Sequence, residues 1–201
     1  MDMSNTGRDI VFQPFQHPID FEGVFVRRKN NKNKTCYYLY TRDEETLLLC
    51  ACETGSYDYD ISRNAKNINK FDPYFCGSLH GNNSNQTYQG TDFNGTELIS
   101  IKYKKKSERK EPFRQFSAVI PPDTKILQRE PQYINGSWLL KFPTTDGISS
   151  EKNFMMDFGD NYCISFEKVH DEEFCILIRH PLSLFQAFCL ALSVMRRFRK
   201  E

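Results

Sequence analysis

The pattern of apolar and polar positions divides the chain into two unequal parts. Up to about residue 180, apolar residues come in runs of four to eight, many of them alternating with polar ones. Gly, Asn, Pro or Asp separate the runs every eight to fifteen residues. Twelve such segments stand out: VFVRR, CYYLYTR, TLLLCACE, SYDYDIS, DPYFCGSL, TYQGTDF, ELISIKYKK, RQFSAVIPP, SWLLKFP, NFMMDF, YCISFEKV and EFCILIRH. Period-two runs with regular turn signals predict an all-β sandwich or barrel. No helical periodicity precedes residue 181.

HPLSLFQAFCLALSVM (180–195) breaks the pattern. A bilayer span takes about 20 apolar residues. Leu182 to Met195 supplies fourteen, interrupted by Ser183, Gln186 and Ser193, with Arg179 and His180 upstream. A membrane anchor is therefore not expected. The stretch predicts a helix from about 181 to 198, with Pro181 at its first position, where a missing N–H costs nothing. Apolar residues surround almost its whole circumference, so something must enclose it. A closed barrel does so and leaves no exposed strand edges. The expected fold is mainly β: an antiparallel barrel of about twelve strands with a buried C-terminal helix through its centre. Residues 1–19 form a short N-terminal extension and 20–201 a single domain.

Composition sharpens the picture in two places. Seventeen Phe and ten Tyr in 201 residues suit strands. Net charge is +1, yet the charges cluster: RRKNNKNK (27–34), KKKSERK (104–110) and RRFRK (196–200) are basic, while YDYD and DEEF are acidic. Such basic runs are either solvated loops or surfaces for phosphates or a membrane. Near-zero net charge and interruption by Asn and Glu disfavour nucleic acid as a partner.

Candidate chemistry is sparse. The four His residues (17, 80, 170, 180) lack metal-ligand spacing, and nucleotide-loop and serine-nucleophile motifs are missing. No catalysis, metal or cofactor is expected. The seven Cys include no CxxC. With no secretory leader expected at MDMSNTGRDI, all seven read as reduced thiols in a cytoplasmic protein, with Cys50 and Cys52 on one strand face.

Several segments carry a family resemblance. SEKNFMM (150–156) followed by PLSLFQAFCLALS (181–193) resembles the C-terminal signature of the tubby family. FSAVIPP, YYLYTRDEETLLLCA, SYDYDIS and PYFCGSLHGN are similar to its upstream strands, so the likeness runs over about residues 20–198. The resemblance implies a twelve-stranded barrel around a central helix. It also implies a non-enzymatic lipid-binding module that docks on phosphoinositide membranes and takes part in membrane-protein or ciliary trafficking. The resulting location is cytoplasmic, at the plasma membrane or cilium, as a peripheral monomer. In the family pocket, Lys and Arg grip ring phosphates. Here Ser78 and His80 fall on those two positions, Gly95 on a further Arg and Asp58 on an Asn. Three cations are thus replaced. Arg27, Arg28, Lys29, Lys104, Lys105 and Lys106 are candidates to compensate. The alternative is a protein-interaction scaffold that has lost the phosphoinositide site.

Overall fold

The computed structural model describes residues 8–16, 20–55, 57–82, 86–105, 113–144 and 147–195. Among these residues fourteen strands precede one α-helix. They are β1 (Phe21–Lys29), β2 (Thr35–Thr41), β3 (Leu47–Glu53), β4 (Asp58–Ser62), β5 (Phe75–Gly81), β6 (Thr87–Asp92), β7 (Glu97–Tyr103), β8 (Phe116–Ile120), β9 (Thr124–Gln128), β10 (Gln132–Ile134), β11 (Ser137–Leu139), β12 (Phe154–Phe158), β13 (Asn161–His170) and β14 (Glu173–Ile178). The helix, α1, spans Leu184–Met195. Twelve strands close into an antiparallel barrel in the order β1-β14-β13-β12-β9-β8-β7-β6-β5-β4-β3-β2, while β10 and β11 form a separate hairpin. Closure is made by β1 against β14, from Phe21 opposite Ile178 to Val26 opposite Glu173.

The twelve-strand total matches the sequence expectation, but its membership differs. SWLLKFP is not a wall strand; its Ser137–Leu139 part belongs to the small hairpin. The vacant place in the wall is taken by β9, TKILQ, in which only Ile126 is buried. A single inward apolar residue is too weak a signal to mark a strand.

All twelve residues of α1 are buried. Phe188 stacks at a tilt against Phe25, ring centroids 5.6 Å apart, and Phe25 meets Phe166 edge-on at 5.2 Å. Gly90 lets the helix approach the wall, because a Cβ there would stand 3.0 Å from Cys189 Sγ. The three polar residues that interrupt the apolar run fasten the helix. Ser183 Oγ accepts from the Gln186 amide while Gln186 Oε1 accepts from the Ser183 amide at 2.9 Å, a reciprocal cap. Gln186 Nε2 also donates to the Leu98 carbonyl of β7 at 2.9 Å. Ser193 Oγ donates to the Leu190 carbonyl and lies 2.8 Å from Tyr103 Oη. The helix therefore begins at Leu184, with Ser183 as its cap, rather than at Pro181. Pro181 follows a cis peptide bond and stands outside the helix. The expected segment beyond Met195, including RRFRK, lies outside the described residues.

The two ends of the barrel differ. A 3-10 helix, Arg8–Phe12, sits at the end where α1 begins. Val11 is buried there, Phe12 packs on Phe185 with centroids 5.2 Å apart, and the Phe15 amide donates to the Leu182 carbonyl. At the other end, where α1 finishes, Arg114 Nη1 donates to the Val194 carbonyl at 2.9 Å. That end carries the cavities described next.

Candidate anion-binding site

The residues aligned to the family pocket come first. Antiparallel pairing of β4 with β5 sets Asp58 opposite His80 and Asp60 opposite Ser78. Tyr59 and Leu79 point into the core, so the alternating polar residues face outward. His80 Nδ1 lies 3.2 Å from Asp58 Oδ1, and Ser78 Oγ donates to Asp60 Oδ1 at 2.9 Å. One strand further on, Gln89 Nε2 donates to Glu97. This outer ladder satisfies its own hydrogen bonds and holds three carboxylates. The Asp58 carboxylate beside His80 opposes any phosphate drawn to that position. Gly95 does not join the group. It sits in the β6–β7 turn, at the plugged end of the barrel, beyond the Gly77–Asp92 pair.

The basic runs are placed differently. The β1–β2 hairpin and the segment after β7 both emerge at the end where α1 finishes, the open end among the described residues, on opposite sides of the barrel order. Arg27, Arg28, Lys29, Glu53, Glu172 and Met195 help to line a cavity of about 900 Å³ at this mouth. Three cations face two carboxylates there. Arg27 holds Glu172 through both of its oxygens, with Nη2 to Oε1 at 2.5 Å. This bidentate pair keeps the Glu172 carboxyl below the usual carboxylate range. Tyr37 Oη donates to Glu53 Oε1 at 3.2 Å, and burial raises the Tyr37 pKa well above that of a free phenol. Arg28 and Lys29 are exposed, as are Lys104 and Lys105. Lys106 lies outside the described residues.

Two contributors escaped the sequence reading because they stand outside any basic run. Lys152 lies near enough to Arg27 and Arg114 for their charges to lower its pKa, after the larger effect of burial. Glu172 comes from the DEEF turn, 145 residues from Arg27 in sequence. Only the β1–β14 closure makes them neighbours.

The cysteines require a correction. Cys36 and Cys52 stand directly opposite across β2 and β3, with Cα atoms 4.3 Å apart, and form a disulfide. The expectation of seven reduced thiols fails for these two. Spacing along the chain does not reveal register, and register is what brings them together. The bond lies on the outer face of the wall at the open end, beside Thr35 and Glu53 of the cavity. Cys50 shares that outer face, where its Sγ lies 3.1 Å from the Ser62 carbonyl. Burial pushes the Cys50 and Cys163 thiols up to about 12 and Cys175 to about 11, so these stay protonated and weakly nucleophilic. Among the described residues no group of three His, Cys, Asp or Glu is placed to hold a metal ion. No helix among them is long and apolar enough to cross a membrane.

The model of the Tub family matches residues 104–197. No curated protein matches the chain. The matched stretch holds the β8–β9 and β12–β14 walls and the central helix. Asp58, Ser78, His80 and Gly95 all lie upstream of it, so their place in the family pocket rests on short motifs alone. Residues 104–197, which hold the later wall strands and the enclosed helix of this closed twelve-stranded barrel, are thus similar to the Tub family.

Proposed function

We propose that this protein is a non-enzymatic tubby-like module that docks peripherally on phosphoinositide-containing membranes through the open end of its barrel. One observation carries the reading: Arg28 and Lys29 stand at the same end as Lys104 and Lys105, flanking the mouth from two sides. The surface is therefore basic at the mouth and not along the outer β4–β5 ladder. Peripheral attachment at a cytoplasmic face, and service in membrane-protein or ciliary trafficking, follow from this reading together with the family.

Liposome co-sedimentation tests it, with phosphatidylcholine vesicles containing or lacking phosphatidylinositol bisphosphate, at low and near-physiological salt. Each cation near an anionic surface contributes about 1 kcal/mol and is screened by salt. Reversing both charges in Arg28→Glu/Lys29→Glu, or in Lys104→Glu/Lys105→Glu, is expected to weaken binding about tenfold or more in either pair. Equal binding with and without the phosphoinositide would refute the lipid preference. Absence of binding at low salt would refute the reading altogether.

The second reading is the protein-interaction scaffold. The self-satisfied ladder Asp58–His80 and Asp60–Ser78 favours it, because two carboxylates repel phosphate where the family motif would hold it.

A further inference from the structure

We propose that the β10–β11 hairpin is a wedge that enters the interfacial layer of a lipid membrane. The inference rests on the membrane reading above and names the element that would penetrate.

The segment PQYINGSWLL (131–140) has no charged residue, although Arg129, Glu130 and Lys141 bracket it. Ile134 pairs with Ser137, leaving a two-residue turn, Asn135-Gly136, with φ of 50° and 85°. This turn makes a narrow tip whose twist matches the strands. Tyr133 is 63% exposed, Ile134 43%, Trp138 41% and Leu139 52%. Pairing sets Tyr133 opposite Trp138 on one face, rings 5.2 Å apart. Ile134 and Leu139 lie on the other. An ordinary surface hairpin hides one apolar face and wets the other. Here large apolar side chains stand exposed on both faces, the second shared by Ile134 and Leu139 with Gln132 and Ser137, which suits immersion rather than lying flat on a protein.

Its position supplies the charge argument. The hairpin leaves the wall between β9 and β12 at the open end, and Phe113, at the close of the β7–β8 connection, packs edge-on against Trp138 at 5.2 Å. Lys104 and Lys105 open that same connection. An uncharged tip beside exposed cations matches acyl chains beneath anionic headgroups. Trp and Tyr settle at that boundary, with the ring in the apolar layer and the polar atom in the headgroups. Carboxylates also occur at this end, but Glu172 is held by Arg27 and Asp171 by Lys168.

Trp138 is the chain's only tryptophan, so its emission reports on this hairpin alone. Vesicles of phosphatidylcholine with phosphatidylinositol bisphosphate, prepared with and without brominated acyl chains, are mixed with the intact protein. A blue shift and quenching by the brominated chains are expected. The variant Ile134→Ser/Leu139→Ser keeps the tryptophan and removes two half-exposed aliphatic groups. It should keep the wild-type melting temperature and co-sediment about tenfold more weakly. Co-sedimentation without shift or quenching would overturn the wedge and leave the basic mouth as the contact. Absence of co-sedimentation would overturn both readings. A blue shift that grows with protein concentration in the absence of vesicles would assign the hairpin to a protein contact and also overturn the wedge.

Discussion

The plugged end of the barrel and the open end are made from the same wall and do opposite things. At the plugged end, Val11, Phe12 and Phe15 close over the start of α1, and the helix cap adds hydrogen bonds among Ser183, Gln186 and Leu98. At the open end, ion pairs, cavities and an apolar hairpin surround the helix terminus. One end holds the lumen shut, while the other leaves cations and aromatic groups accessible. The contrast teaches that packing, and not local polarity, separates the two roles: Phe is abundant throughout, and the plugged end also exposes Phe71 and Tyr74, but among the described residues it is the other end that sets an exposed Trp beside Lys and Arg from two separate basic runs.

The largest effect should come from the helix they share. Phe188→Asp places a carboxylate against Phe25, at a position with no solvent exposure. An unpaired buried charge costs several kcal/mol, enough to unfold a domain of ordinary stability. Loss of the cooperative melt would bear this out, while a folded, soluble variant would break the central-helix account. Next comes the covalent stitch of the open end. Cys36→Ser/Cys52→Ser opens a loop of 16 residues and is expected to cost about 3 kcal/mol by the chain-entropy rule. Urea unfolding measures it, and an equal melt in reducing and oxidising buffer would show that the bond adds nothing.

At the plugged end, Phe12→Ala should cost about 1–3 kcal/mol, since Phe12 is only partly buried and packs at the rim of the core. Vesicle binding should stay unchanged. A drop in binding without a drop in stability would erase the division between the ends. The smallest effect concerns the pair at the mouth. Glu172 titrates below the ordinary carboxylate range when folded, chiefly because Arg27 hydrogen-bonds to it. Its contribution is therefore present above the unfolded carboxylate pKa and is lost as pH falls through the lower, folded value. Glu172→Gln should flatten part of the acid-side fall in melting temperature. An identical pH profile for the two proteins would mean that solvent screens the pair completely.

Much of the architecture was legible from the chain. The all-apolar helix required an enclosure, and the spaced short runs supplied one. Apolarity misled where it marks exposure: SWLLKFP has the composition of a wall strand, yet its Ser137–Leu139 part stands in solvent, while TKILQ, half polar, completes the wall. The helix start is written in Ser183-x-x-Gln186, whose reciprocal cap fixes it three residues beyond Pro181. The site was less legible. Basic runs announced the cations, but Arg27 with Glu172 and Cys36 with Cys52 are pairings made by register and barrel closure, and neither follows from spacing in a single sequence.

The enclosure of α1 also has a consequence for synthesis. Every wall strand leaves the ribosome before the helix that fills the lumen, and β1 must wait for β14 before the ring can close. Until then the nascent chain offers an unfilled apolar trough and two unpaired edges. Such topologies fold slowly, because distant segments must meet before contacts reward them. A chaperone that shields β-rich intermediates should therefore raise the yield of this protein more than that of a helical protein of equal length.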